Sequence, residues 1–288
     1  MNTWFVFALL SVFALAGSEL SQKISLTQKK VEISAITNNF FVWTMQGIGG
    51  LILALILGVA HFEVDLTRLL FIFIVAGVYF VGGTLFYTSY KANSPSLSII
   101  LGSISIVVST TLGILFLKES VVAAKLIGIA LIFVSIFIAN FQSSAKFSKY
   151  NMYAFLGGIT FGIAFTLDKY NVGIMSPAFY VSLMSFSVAI VSFVLKGKHI
   201  ISEARLLRLY NYYPMVMSAL FATFFNFFTF MSYRNGGHVG AVDALNNSSV
   251  FLVILFEILI LKDRSGLKKK VIASMIVVFA VWILSGVV

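Results

Sequence analysis

Ten stretches of mostly apolar residues run almost end to end along this chain, and each is long enough to cross a bilayer as a helix. A hydrocarbon layer of roughly 30 Å takes about 20 helical residues. The segments cover 3–22, 33–60, 67–90, 95–117, 122–141, 151–171, 177–195, 212–233, 238–261 and 270–288. The breaks between them are short and polar, among them Ser21–Glu32, His61–Arg68, Ala145–Tyr150 and Lys196–Tyr210. Lipid offers no hydrogen-bond partner to an open backbone, so spans of this length are helical. A soluble domain carries roughly 25% charged residues as a polar skin. Here 10% are charged and 60% hydrophobic, so lipid is the solvent. The expected fold is an all-α membrane protein with ten transmembrane helices. Pro95, Pro177 and Pro214 each sit at the start of a segment, where a missing N–H costs nothing.

The first segment needs one test. Ala14-Leu15-Ala16 imitates a signal-peptidase site, but no Lys or Arg precedes it and the apolar run continues towards Leu20. It is expected to remain as a span. A net charge of +10 raises the question of nucleic acid. The cations stand singly or in short runs between apolar stretches, so they read as loop charges, and no nucleic-acid partner is expected. Of the 20 Lys and Arg, fifteen fall in odd-numbered loops and five in even-numbered ones. Positive loops prefer the cytoplasm, which places both termini outside. Cysteine is absent, so disulfides and thiolate metal sites are excluded.

The second half of the chain repeats the first. Phe7-Ala8-Leu9-Leu10 aligns with Tyr153-Ala154-Phe155-Leu156, and the same offset pairs Lys23 with Lys169. Ser89-Tyr90-Lys91 answers to Ser232-Tyr233-Arg234, and Leu117-Lys118-Glu119 to Leu261-Lys262-Asp263. The halves are residues 1–141 and 151–288, joined by a linker at 142–150. A five-helix unit has an odd number of spans, so its duplicate sits upside down. Inverted repeats of this kind build many secondary transporters, with the substrate near the midplane between them.

Ser89-Tyr90-Lys91 through Ser98, a fourth helix rich in small residues, Leu117-Lys118-Glu119, and Gly128 in an apolar fifth helix together resemble the EamA-type repeat. That repeat defines the ten-helix members of the drug/metabolite transporter superfamily. The resemblance implies a transporter of small molecules with both termini inside, opposite to the charge count. The family often carries a proline near the middle of the fourth and ninth helices. Ile106 and Val250 stand there in this chain, so no proline-driven helix break is expected.

Several polar residues fall inside the apolar segments. Asp243, Asn247, Val250, Ile254 and Glu257 follow one another at spacings of four, three, four and three, which is one helix face, flanked by Asn246 and Ser249. A charge facing mid-bilayer lipid costs roughly 2.5–3.5 kcal/mol on insertion scales, so this face meets protein or water. It either lines a cavity or reaches the interface at its ends. Glu19 precedes Lys23 by the spacing of an i, i+4 ion pair. Asp168 and Lys169 match Gln22 and Lys23 in the first half. Such groups close helix ends or act as gates. Asn39, Trp43 and Gln46 share a face of the second helix, and Tyr79, Gly83, Tyr87 and Tyr90 roughly share one on the third. Asn226 takes in the eighth helix the place of Gly83 in the third. Aromatic faces hold a cation at roughly 0.5–2 kcal/mol each, and amides orient polar ligands; the alternative is packing and an interfacial belt. Ser98, Gly102, Ser105 and Ser109, with Gly158 and Gly162, suit close helix contact.

No phosphate-binding glycine loop and no histidine pair with metal spacing occurs, so neither cofactor nor metal is expected. The reading is a secondary active transporter of a small amine, amino acid or drug-like metabolite. Asp243, Asn246, Asn247, Asn226, Tyr79, Asn39, Trp43 and Tyr87 are the substrate-binding candidates. Glu19, Lys23, Asp168, Lys169 and Glu257 are the candidates for gating or proton coupling. The cavity is expected between helices 1, 3, 4, 6, 8 and 9. Its partners are a small-molecule substrate, the lipid bilayer and protons, and its place the inner membrane of a prokaryote. A membrane-embedded enzyme, a lipid-modifying protein and a non-transporting receptor or assembly partner stay open as alternatives.

Overall fold

The computed structural model describes residues 3–27, 33–60, 64–120 and 148–285, with residues 127, 128, 130, 131, 133–135 and 138 between them. Most of the fifth segment, 122–141, lies outside the described residues. Helices are α1 (Thr3–Leu26), α2 (Ala35–Ile56), α3 (Leu66–Ser89), α4 (Pro95–Gly102), α5 (Ile104–Leu117), α6 (Lys149–Val172), α7 (Pro177–Ala204), α8 (Leu209–Arg234), α9 (Val239–Asn247), α10 (Val250–Phe256) and α11 (Leu267–Ser285). Eight stretches among the described residues are long and apolar enough to cross a membrane, with α4–α5 counted as one and α9–α10 as another. The tenth segment, α11, opens on Lys268–Lys270.

Helix starts follow their capping residues. The side chains of Ser34, Asp65, Ser94, Ser148 and Ser176 each accept a bond from the N–H three residues on. Pro95 and Pro177 stand in first turns, as expected. Pro214 does not: α8 begins about one turn earlier, at Leu209, because Asn211 Oδ1 takes the Arg208 N–H at 2.8 Å and starts the helix before the proline. Helix α7 also overruns the expected loop. It kinks at Lys196 and continues to Ala204.

The fourth and ninth segments are broken after all, without proline. Ser103 N–H bonds Ile100 O rather than the carbonyl one residue further back, and the Ser103 hydroxyl reaches the same oxygen at 2.6 Å. Ser248 repeats this with Leu245 O, its N–H at 2.9 Å and its hydroxyl at 2.6 Å. Both segments end alike too. Lys118 (φ 56°) and Lys262 (φ 55°) are left-handed, and the next N–H, of Glu119 or Asp263, reaches back to Gly113 O or Glu257 O. The last turn before Lys262 is π-helical, Glu257–Leu261.

The two halves interleave. The broadest helix contacts are α1 on α8, α2 on α7 and α3 on α6, followed by α2 on α8 and α3 on α7 among the neighbours of these pairs. Exchanging the halves turns each of these pairings into another of the set. Glycines allow the closest approach, where α6 crosses the broken fourth segment. A Cβ on Gly158 would stand 2.3 Å from Gly102 O, and one on Gly162 would stand 2.6 Å from Ser105 O.

Gly158→Ala therefore has to push backbone apart. It should lose about 1–3 kcal/mol and melt several degrees below the wild type in detergent. Gly77→Ala, where nothing lies within 4 Å of the added carbon, should melt at or above the wild-type temperature. Equal melting of the two variants would show that α6 does not press on this break.

Candidate functional site

Between the halves lies a cavity of about 90 Å³. A water needs roughly 10–15 Å³ of such space, so several fit. Helices α1, α3, α6, α8 and α9 line it together with the break between α4 and α5. Helix α2, outside the expected set of lining helices although Trp43 was a substrate-binding candidate, contributes Val42, Trp43 and Gln46. It wedges between α7 and α8, and that turns its polar face inwards.

Of the substrate-binding candidates, Asp243, Asn246, Asn247, Asn226, Tyr79, Trp43 and Tyr87 all line this cavity. Asn39 is buried beside Gly83 and is not among the lining residues. Asp243 accepts bonds from Ser105 Oγ at 3.2 Å, Ser109 Oγ at 2.9 Å and Asn247 Nδ2 at 3.0 Å. The small-residue face of the broken fourth segment thus serves as a cradle for this carboxylate. Asn246 pins α9 in place, accepting from Ser11 Oγ at 2.5 Å and donating to Thr229 Oγ1 at 3.2 Å. Trp43 and Tyr79 meet edge to face at 5.3 Å, and Phe161 and Phe165 stack at 6.0 Å beyond them.

Glu19 is the second carboxylate on the cavity, and the Tyr90 hydroxyl donates to it. The i, i+4 ion pair expected between Glu19 and Lys23 does not form. The Lys23 ammonium turns instead to Tyr90 O at 2.5 Å and Asn93 O at 2.9 Å, where the end of α3 presents carbonyls closer than the carboxylate. Asp168 and Lys169 also lie off the cavity and point different ways, as adjacent helical residues must. Asp168 receives the Tyr79 hydroxyl and the Tyr180 hydroxyl, the latter at 2.6 Å, and Asn171 donates to Tyr180 at 3.0 Å. Lys169 bonds Glu119 Oε1 at 2.6 Å.

Glu257 is not on the cavity either. Its oxygens take Ser96 N–H at 2.6 Å and Ser96 Oγ at 2.7 Å, and Lys270 approaches at 3.1 Å. It closes the N-terminus of α4, where the helix dipole favours an anion. Glu119 does the reverse service, accepting the Val239 N–H at 2.8 Å at the start of α9, with His238 Nδ1 3.8 Å from its other oxygen. Each broken span thus ends on a residue that caps the other. Tyr180, Glu119, Ser96 and Lys270 were not singled out from the sequence. Glu119 carried a signal, its match to Asp263, and Tyr180 another: it follows the Ser176 cap as Asn38 follows Ser34.

The electrostatics of the cavity are one-sided. Among the described residues its lining holds two carboxylates and no Lys, Arg or His. Among the described residues no three acid or histidine side chains converge as a metal site would need.

The sequence pattern of the EamA-like transporter family matches residues 2–141 and again residues 148–286. The chain is similar to an uncharacterized protein of Methanocaldococcus jannaschii, 33% identical over 110 residues that make up 37% of this chain and 80% of that one. It is also similar to a protein of known crystal structure at 12% identity, with a TM-score of 0.73 over 99% of this chain and 97% of that one. That likeness speaks for the fold alone.

The Lys169–Glu119 pair is largely out of water, so removing one partner strands the other. Lys169→Met should cost roughly 3 kcal/mol, and Glu119→Gln a similar amount. The double variant should recover much of the loss. Additive losses in thermal melts would mean that the two charges do not depend on each other.

Proposed function

The chain belongs to the EamA-like transporter family, and on that premise we propose that it is a secondary active transporter carrying a small organic cation by alternating access between two inverted five-helix repeats. The observation that carries the substrate class is the cavity itself. Glu19 comes from one half and Asp243 from the other, aromatic rings form the wall, and among the described residues no basic side chain lines it. The nearby lysines, Lys23 and Lys169, are engaged elsewhere, with Tyr90 and Asn93 carbonyls and with Glu119. An amine therefore finds anions and π-faces with no competing cation.

The coupling reading rests on the same carboxylates. One carboxylate holds either a proton or an ammonium group, and exchange between them links the two fluxes. Polar clusters at the two ends act as gates. At one end Asp168 meets Tyr79 and Tyr180 while Lys169 meets Glu119. At the other Glu19 meets Tyr90, Gln22 meets Asn38 and Lys23 meets the end of α3. Rocking of the repeats opens one cluster while the other holds.

Several features support the inverted repeat. The sequence matches run in register, the breaks at Ser103 and Ser248 correspond, and exchanging the halves preserves the main helix pairings. The 110 matched residues are 80% of the archaeal relative, which puts its length at about 138 residues, close to one repeat. We take the charge count to put the end carrying Lys23, Lys91 and Arg205 in the cytoplasm, and the membrane to be the plasma membrane of a prokaryote.

The absence of cysteine makes topology directly testable. Single cysteines at Thr27, Lys91, Arg205 and Arg264 should be labelled only by membrane-permeant reagents in whole cells. Those at Gly58, Ile174 and Asn235 should react with impermeant ones. Mixed labelling within either group would end the ten-span inverted architecture; a clean reversal would keep it and overturn the orientation.

Transport is tested in proteoliposomes with a panel of small amines and amino acids, with and without a pH gradient. Asp243→Asn keeps the shape of the side chain and removes its charge. It should cut gradient-driven uptake by at least about 10-fold, or roughly 1.4 kcal/mol, with melting close to wild type. Unchanged transport and pH dependence would remove Asp243 from the mechanism.

A further inference from the structure

The cavity is lined by polar groups committed to the protein and by two amides, those of Gln46 and Asn226, that bond nothing among the described residues. Asp243 is held by Ser105, Ser109 and Asn247, and Glu19 by Tyr90. The Asn246 amide donates to Thr229, and that of Asn247 donates to Asp243. Gln46 differs. It is 1% exposed and lines the cavity, and its Nε2 has no hydrogen-bond partner.

Helix α2 cannot easily turn this amide elsewhere. Next to Gln46, the Gly47 carbonyl accepts the Ser182 hydroxyl of α7 at 3.0 Å, and a Cβ on Gly50 would stand 2.7 Å from Ser182 N. The backbone around Gln46 is therefore seated on α7. Asn39, two turns earlier on the same face, is also buried with neither amide atom bonded. A buried donor without an acceptor is costly, and a methionine would fill the same volume without that cost. No acceptor for the Gln46 amide stands among the described residues, and of these two amides, Gln46 and Asn39, only Gln46 lines the cavity, where an occupant can supply one.

Resting on the cation reading above, we infer that Gln46 is a specificity-determining residue that selects organic cations bearing a neutral hydrogen-bond acceptor close to the ammonium. Amino amides and amino alcohols are the matching class. Plain alkylamines satisfy Glu19 and Asp243 but leave the Gln46 N–H groups bare. A free carboxylate meets two acids and no base, so the zwitterion fits less well than its amide. The small cavity keeps cation and acceptor within a few bonds of each other.

The test uses the purified full chain in detergent and reads thermal stabilisation by valinamide, isobutylamine and valine. Valinamide and isobutylamine share a side chain and a charge and differ by one carboxamide. Wild type should respond to valinamide at roughly 10-fold lower concentration than to isobutylamine, as expected for a site built around one buried donor. Valine should be weaker than valinamide. Gln46→Met should melt higher than wild type without ligand, keep its response to isobutylamine and lose the preference. Gln46→Glu, of the same shape but with no amide protons, should lose it too. If Gln46→Met melts lower without ligand, the amide serves the fold and the inference is wrong. Equal response to both amines in wild type, an unchanged ratio in both variants, or stronger binding of valine would likewise overturn it. If neither amine stabilises wild type at any concentration, the cation reading itself fails, a result distinct from equal binding.

Discussion

A hydrocarbon solvent offers nothing to a polar group, so most hydroxyls, amides and carboxylates in the described spans are placed by what satisfies them. Many hydroxyls fold back on their own helix, as Thr44 does on Phe40 O, Ser192 on Val188 O and Thr223 on Ala219 O. Others cross between helices and so fix register. Ser232 reaches Trp4 O and Ser18 reaches Ser218, which sets α1 along α8 at two heights. Ser182 on Gly47 O does the same for α2 and α7. The halves interlock through bonds that neither could make alone.

The same demand explains the reciprocal capping of the broken spans. A helix N-terminus near the membrane has N–H groups without partners. Glu257 supplies the start of α4 and Glu119 the start of α9. The two ends are nonetheless chemically unequal. Lys169 faces a carboxylate, whereas its counterpart Lys23 faces backbone carbonyls. One closure is charge against charge and the other charge against dipole, so salt and substitution act on them differently.

What the sequence made legible follows from what lipid imposes locally. Span length, helix-start prolines such as Pro95 and Pro177, and glycine contacts are one-dimensional signals, and α1 to α3 stand close to their expected places. The 4-3-4-3 spacing put Asp243 and Asn247 on one face, and both line the cavity, but it carried Val250 and Glu257 along with them, and neither does. The step at Ser248 and Ser249 changes the winding between α9 and α10, and the π turn changes it again, so Glu257 leaves that face for Ser96 and Lys270. Pairings between distant helices gave no signal of their own. Glu19 with Lys23 was the obvious local pair, yet a tyrosine and two carbonyls from α3 outcompete it. Tyr180, in the first turn of α7, reaches Asp168 near the end of α6 across the tight turn between them.

The serine breaks differ from proline breaks in one physical respect. A proline has no N–H, so the carbonyl it abandons stays abandoned and the interruption is permanent. Ser103 and Ser248 keep theirs, each bonded to the carbonyl three residues back. Moving that proton to the carbonyl four back exchanges one bond for another and leaves their number unchanged. A residue passing from the tighter winding to the regular one shortens the axis by about 0.5 Å, from roughly 2.0 to 1.5 Å of rise. The fourth and ninth spans can thus contract or lengthen like telescoping rods, with the hydroxyls of Ser103 and Ser248 as detents that hold one setting.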